Sequence, residues 1–124
     1  LSVRLFIMNN FRDLDVWNKA IGLASMVYQI TEHFPKSEQY GLVSQIRRST
    51  VSISSNIAEG AGRKSKKEFQ HFLNIATGSC YELESQVTIS RNLDFMNEAD
   101  YEKTTDKLVE IQKMVYALRQ SLEK

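Results

Sequence analysis

Glu68 and His71 stand three residues apart, the spacing at which a helix can offer a carboxylate and an imidazole to one metal ion. A dinuclear carboxylate site needs a second Glu-x-x-His on another helix and two further inward glutamates. The other histidine, His33, is preceded directly by Glu32, which is the wrong spacing. Glu68 and His71 therefore read as a surface pair, and no metal or cofactor is expected. Cys80 is the single cysteine and lies in Ala76-Thr77-Gly78-Ser79-Cys80. That run is helical in pattern and borders an apolar seam, so Cys80 reads as a buried structural thiol rather than a nucleophile. Glu82 and Glu84 are two apart and point roughly 200° from each other on a helix, which excludes an acid–base pair. The chain has no nucleophile elbow, Walker loop or dinucleotide fingerprint. An enzyme is not expected.

Charge carries more information than nucleophiles do. From Arg47 to Lys67 the chain holds Arg47, Arg48, Arg63, Lys64, Lys66 and Lys67 against Glu59 alone. From Asp94 to Glu110 it holds Asp94, Glu98, Asp100, Glu102, Asp106 and Glu110 against Lys103 and Lys107. The formal net charge of +1 conceals this segregation. Acids opening a helix complement its dipole, whereas Lys66 and Lys67 oppose it. A helix start flanked by Gly60, Gly62 and these cations is suited to phosphate. The candidate nucleic-acid-binding residues are Arg48, Arg63, Lys64, Lys66 and Lys67, with Arg47 assigned instead to pairing with an acid. The competing reading is a solvated basic turn. No aromatic residue interleaves with these charges in sequence, which argues against base stacking on single strands.

Helices must position these groups. Hydrophobic residues make up 42% and charged residues 25% of the 124 residues, values of an ordinary folded domain rather than a disordered or membrane-spanning chain. A first helical pattern runs from Asp13 to Phe34 before Pro35 and has two apolar seams. One holds Val16, Ala20, Leu23, Val27, Ile30 and Phe34; the other holds Leu14, Trp17, Ile21, Ala24 and Tyr28. The second seam implies a further covering surface. Ser37 is expected to cap a second helix reaching about Gly60, with Val43, Ile46, Thr50, Ile53 and Ile57 as its core stripe. Gly60 and Gly62 are expected to close it in the left-handed conformation. Ser65-x-x-Glu68 opens a third helix as a capping box, whose seam is Phe69, Leu73, Ala76, Cys80, Leu83 and Val87 and which ends near Leu93. Asn97 caps a fourth, with Tyr101, Leu108, Ile111, Val115, Leu118 and Leu122 inward.

Four helices of about 22 to 28 residues, joined by links of about three to five residues, predict an all-α antiparallel up-down-up-down four-helix bundle over residues 11–124. Residues 1–10 read as a flexible N-terminal tail. In such a bundle the turn between the second and third helices shares an end with both termini, which adds Arg4, Arg12, Lys113, Arg119 and Lys124 to the basic pole. Gly22 and Gly78 lie inside helices at a cost of about 1 kcal/mol each relative to alanine. Tight packing within the bundle is the expected reason, and a close subunit contact is the alternative. A lone cysteine and no span for a membrane point to the cytoplasm.

Several stretches are more specific than any periodicity. They are Phe11-Arg-Asp-Leu-Asp-Val-Trp17 with Lys19-Ala20, Phe34-Pro35 followed by Glu38-Gln-Tyr-Gly-Leu42, Gln45-Ile-Arg-Arg48, Asn56-Ile-Ala-Glu-Gly60-x-Gly62-Arg63 and Ala76-Thr-Gly-Ser79-x-x-Glu82-Leu83. From Phe11 onward the chain resembles the four-helix-bundle proteins encoded by intervening sequences within bacterial large-subunit ribosomal RNA genes. The resemblance extends to accessory proteins of diversity-generating retroelements, bundles that form pentameric rings and bind nucleic acid and a reverse transcriptase. It implies a cytoplasmic homopentamer without catalytic activity. Ser49 and Ser54 depart from the alanine and proline of many members, and the near-neutral charge departs from the strongly basic retroelement proteins.

Two functions compete. One is an oligomeric bundle that binds RNA or DNA phosphates through its basic turn. The other is a ring that acts as a scaffold for another protein, with the turn facing water.

Overall fold

The computed structural model describes residues 10–123. Its four α-helices are α1 (Asp15–Thr31), α2 (Leu42–Ala61), α3 (Lys66–Asn92) and α4 (Glu98–Ser121), with short 3-10 turns at Phe11–Asp13 and Lys36–Glu38. Two starts follow directly from local chemistry. The Ser65 hydroxyl accepts from the Glu68 N–H at 3.1 Å, and Asn97 Oδ1 accepts from the Asp100 N–H at 2.7 Å. Each satisfies a backbone donor that the first turn of a helix otherwise leaves without a partner.

The first two helices are shorter than the sequence pattern predicts. The α1 helix ends at Thr31, before Pro35, and Ser37 is not a cap: it lies in the 3-10 turn, and α2 begins at Leu42. The Glu38 carboxylate takes the capping role, accepting from the Leu42 N–H at 3.3 Å. The first connection is accordingly longer than expected. Gly60 and Gly62 do not close α2 in the left-handed region, since no described glycine has a positive φ. Gly60 lies within α2, and Gly62 follows it at φ −84°. The left-handed residue is Asp94, at φ 62°, just beyond α3. There the Ser90 carbonyl accepts from both Phe95 N–H and Met96 N–H, at 2.9 and 3.2 Å.

Each helix packs on two neighbours in the cyclic order α1–α2–α3–α4, and the backbones of the diagonal pairs stay farther apart. Contacts between neighbours join opposite ends. Arg47 early in α2 bonds to Thr31 at the end of α1, Ser49 bonds to Gln86 late in α3, and Gln70 early in α3 bonds to the Arg119 carbonyl late in α4. The structure is thus an all-α four-helix bundle whose neighbours run antiparallel. One core cluster draws on all four helices. The α2 and α3 stripes are buried as predicted, from Val43 to Ile57 and from Phe69 to Val87. Thr104 fills the gap in the α4 seam between Tyr101 and Leu108 and is itself buried, its hydroxyl donating to the Asp100 carbonyl. Phe34, Phe95 and Met96 close one end, with the two phenylalanine rings 6.0 Å apart.

The α2–α3 pair makes the closest approach. A Cβ placed on Gly60 would lie 2.8 Å from Phe72 Cβ and 2.9 Å from Phe69 Cδ1. Further along, the Ser52 and Ser79 hydroxyls meet at 2.8 Å. Gly22 and Gly78 behave differently: a Cβ at either would meet nothing within 4 Å. Tight packing within the bundle is therefore not what these two glycines serve. The seam of small residues uses Ala76, Ser79 and Cys80, while Gly78 points away from it. The second seam of α1 is divided: Leu14 and Trp17 pack against the core, while Ile21 and Tyr28 are exposed.

Candidate nucleic-acid interface

The basic turn is built by two helix ends. Ala61 ends α2, Ser65 caps α3, and Arg63, Lys64, Lys66 and Lys67 are all exposed in the few residues between and after them. They are not equivalent. The Arg63 guanidinium is 2.8 Å from Glu59 and lies over the Phe72 ring, 4.8 Å from its centroid. Its charge is thus partly spent, and its position is fixed by a surface ion pair and a cation–π contact. Lys64 and Lys67 make no ion pair among the described residues. The turn also borders the end of α4, through the hydrogen bond from Gln70 to the Arg119 carbonyl. Arg4 and Lys124, expected at the same pole, lie outside the described residues, as does the predicted tail apart from Asn10.

Arg48 does not join this cluster. Thirteen residues of helix separate it from Ala61, roughly 20 Å at 1.5 Å per residue. The length of α2 therefore puts Arg47 and Arg48 toward the other pole, which corrects a grouping based on proximity in sequence. Arg47 pairs as expected. Its guanidinium contacts Glu32 at 3.2 Å, donates to Thr31 Oγ1 at 3.0 Å, and lies over the Tyr28 ring at 4.4 Å. Arg48 is exposed and has no ion pair among the described residues.

Folding also places aromatic rings beside these arginines, which the linear order did not suggest. Tyr28 and Tyr40 line an open groove of about 560 Å³ together with Arg47, Arg48 and Val51. Tyr40, in the α1–α2 connection, is 90% exposed. A smaller polar groove of about 320 Å³ between α2 and α3 shares Arg48 and Ser52 with it, and Gln45, Glu82 and Gln86 line its walls. The sequence puts Tyr40 in the first turn of the helix expected to start at Ser37; the structure puts it in the α1–α2 connection, where it shares a groove with Arg48 and with Tyr28 of α1.

The residues considered for other chemistry are placed apart from any such arrangement. Cys80 is fully buried, and burial, with Glu84 adding to it, pushes its thiol from 9.0 up to about 12. A thiol held protonated in an apolar seam is a poor nucleophile. Glu68 and His71 are exposed, and the His71 ring packs edge-on against Phe72. Among the described residues no helix is long and apolar enough to cross a membrane.

An all-α bundle with a basic turn defines the class of protein. The sequence from residue 12 to residue 117 matches the family described as 23S rRNA-intervening sequence protein, and the chain belongs to that family. A solved structure with a similar fold is a protein of unknown function from the S23 ribosomal protein family of Bacteroides thetaiotaomicron. The two share 24% sequence identity with a TM-score of 0.76, over 84% of this chain and 97% of that one. No curated protein matches.

Proposed function

We propose that this chain is a non-enzymatic homo-oligomer that binds the phosphates of RNA or DNA through the α2–α3 turn. The observation that carries this reading is the pair of exposed lysines, Lys64 and Lys67, at the turn that opens α3, neither with an ion pair among the described residues. Positive charge there opposes the helix dipole, and a bound anion removes the conflict. Arg63, held by Glu59 and Phe72, supplies a fixed guanidinium beside them. The cytoplasm is the compartment in which such a protein meets its ligand.

Assembly is the second part of the reading. Exposed apolar side chains stand on every helix, among them Ile21 on α1, Ile75, Tyr81 and Ile89 on α3, and Val109 and Tyr116 on α4. Apolar residues on more than one side of the bundle suit head-to-tail contacts that close a ring, and the family resemblance favours five subunits. A ring repeats the basic turn, so that weak phosphate contacts sum to useful affinity.

Retention on RNA and duplex DNA, titrated with salt, tests the phosphate claim. Each neutralised duplex phosphate contributes a log–log slope of about −0.9. Replacing Lys64, Lys66 and Lys67 together with glutamate is expected to abolish binding while leaving helicity and assembly intact. No retention of the wild-type protein at low salt would favour the protein scaffold, which the exposed α3 residues would then serve. Light scattering tests the oligomer, and a monomer at micromolar concentration would refute it.

A further inference from the structure

We propose that the groove between α1 and α2 is a second nucleic-acid subsite that takes an unpaired base of a single strand, stacked on Tyr40, with its phosphate on Arg48. This deepens the phosphate-binding reading, and it rests on that reading for the identity of the ligand. At about 560 Å³ the groove lies within the range of small-ligand clefts, about 300–1,000 Å³. Its composition is what sequence-tolerant single-strand binding uses: an accessible aromatic face beside an uncommitted cation.

The two tyrosines have different roles. One face of Tyr28 is already covered by Arg47, whose charge is balanced by Glu32. Tyr28, Arg47 and Glu32 therefore form a fixed wall. Tyr40 is 90% exposed and is covered by no cation or second ring among the described residues. A large apolar ring left this open in water gains from any stacking partner. Arg48 stands at the junction of this groove and the polar one, with no carboxylate of the described residues within ion-pair distance. Glu82 lines the adjacent polar groove. Its carboxylate accepts from base or ribose donors and repels phosphate, so the phosphate belongs on the Arg48 side.

A duplex buries its base faces in its own stack and has none to offer Tyr40. The groove therefore confers a preference for single strands that the lysine turn alone does not provide.

Binding of a fluorescent oligouridylate and of a DNA duplex of equal length, by the full chain, tests the proposal. Tyr40→Ala is expected to weaken oligouridylate binding about tenfold and to leave duplex binding unchanged. Tyr40→Phe should retain wild-type affinity, because stacking does not need the hydroxyl. Arg48→Gln should reduce the single-strand salt slope by about 0.7, one phosphate. Equal oligouridylate affinity for Tyr40→Ala and wild type would overturn the subsite, as would no oligouridylate binding by the wild type. A change of oligomeric state in Tyr40→Ala would also overturn it, by showing that a second copy of the chain covers the groove. The lysine-to-glutamate triple variant separates the two claims. If it binds normally while Tyr40→Ala does not, the turn reading fails and the groove stands.

Discussion

The α2–α3 seam and the outer faces of α1 and α3 use the same small residues for opposite ends. At the seam Gly60 lets Phe69 and Phe72 approach so closely that a methyl group has no room, whereas at Gly22 and Gly78 a methyl group would meet nothing. Two residues beyond Gly78, Cys80 is buried and its thiol is strongly shifted. The environment of a small residue thus changes completely within one turn of helix. Residue type says that a backbone can be approached closely; only the face it occupies says whether anything does so.

The largest effect that would sharpen this contrast is expected at alkaline pH. The Cys80 thiol ionises near 9.0 when exposed and near 12 when folded. Between those values the folded chain keeps a proton that the unfolded chain has lost, so this contribution to stability is intact below pH 9 and declines as pH rises toward 12. Denaturation midpoints across that window should fall more steeply for the wild type than for Cys80→Ala. Parallel curves would place Cys80 outside the dry seam.

Gly60→Ala comes next. Overpacking against Phe69 and Phe72 should destabilise the protein by about 1–3 kcal/mol in urea denaturation, and a neutral result would mean that the two helices separate easily.

Thr50→Val should do the reverse. The Thr50 hydroxyl is fully buried without a hydrogen-bond partner, and replacing it with a methyl group of similar shape removes a desolvated polar group, for a gain of about 1 kcal/mol. A loss instead would reveal a partner for that hydroxyl.

The smallest change is expected at the open glycines. Gly22→Ala and Gly78→Ala should each stabilise the bundle by up to about 1 kcal/mol through helix propensity. Loss of assembly in light scattering, in place of that gain, would put the glycine in a subunit contact.

Much of the fold was legible because helix periodicity is a local property. The seams of α2 and α3 are the buried residues predicted, and Ser65 and Asn97 cap the helices they were expected to cap. Ser37 misled because several polar residues near a helix start compete for the capping role. The backbone between Pro35 and Gly41 first makes a 3-10 turn, and Glu38 reaches the Leu42 N–H instead. The glycines after Ile57 misled for a related reason: a glycine near a helix end can provide either a left-handed closure or room for a neighbour. Asp94 provides the left-handed closure found in this bundle.

The sequence by itself determined that there are four helices, the core stripes of α2 and α3 and the basic turn at the start of α3. These depend on residue type and on spacings of three or four along one chain. Tertiary structure alone decided which groups of other helices stand beside each cation. The length of α2 separates Arg48 from Lys64 and Lys67 by several turns, and the packing of α1 on α2 brings Tyr28 into the groove beside Arg48. Separation along the chain becomes distance in space only within one helix. Across a bundle, neighbours are set by which faces bury together, and that choice minimises exposed apolar area over the whole molecule.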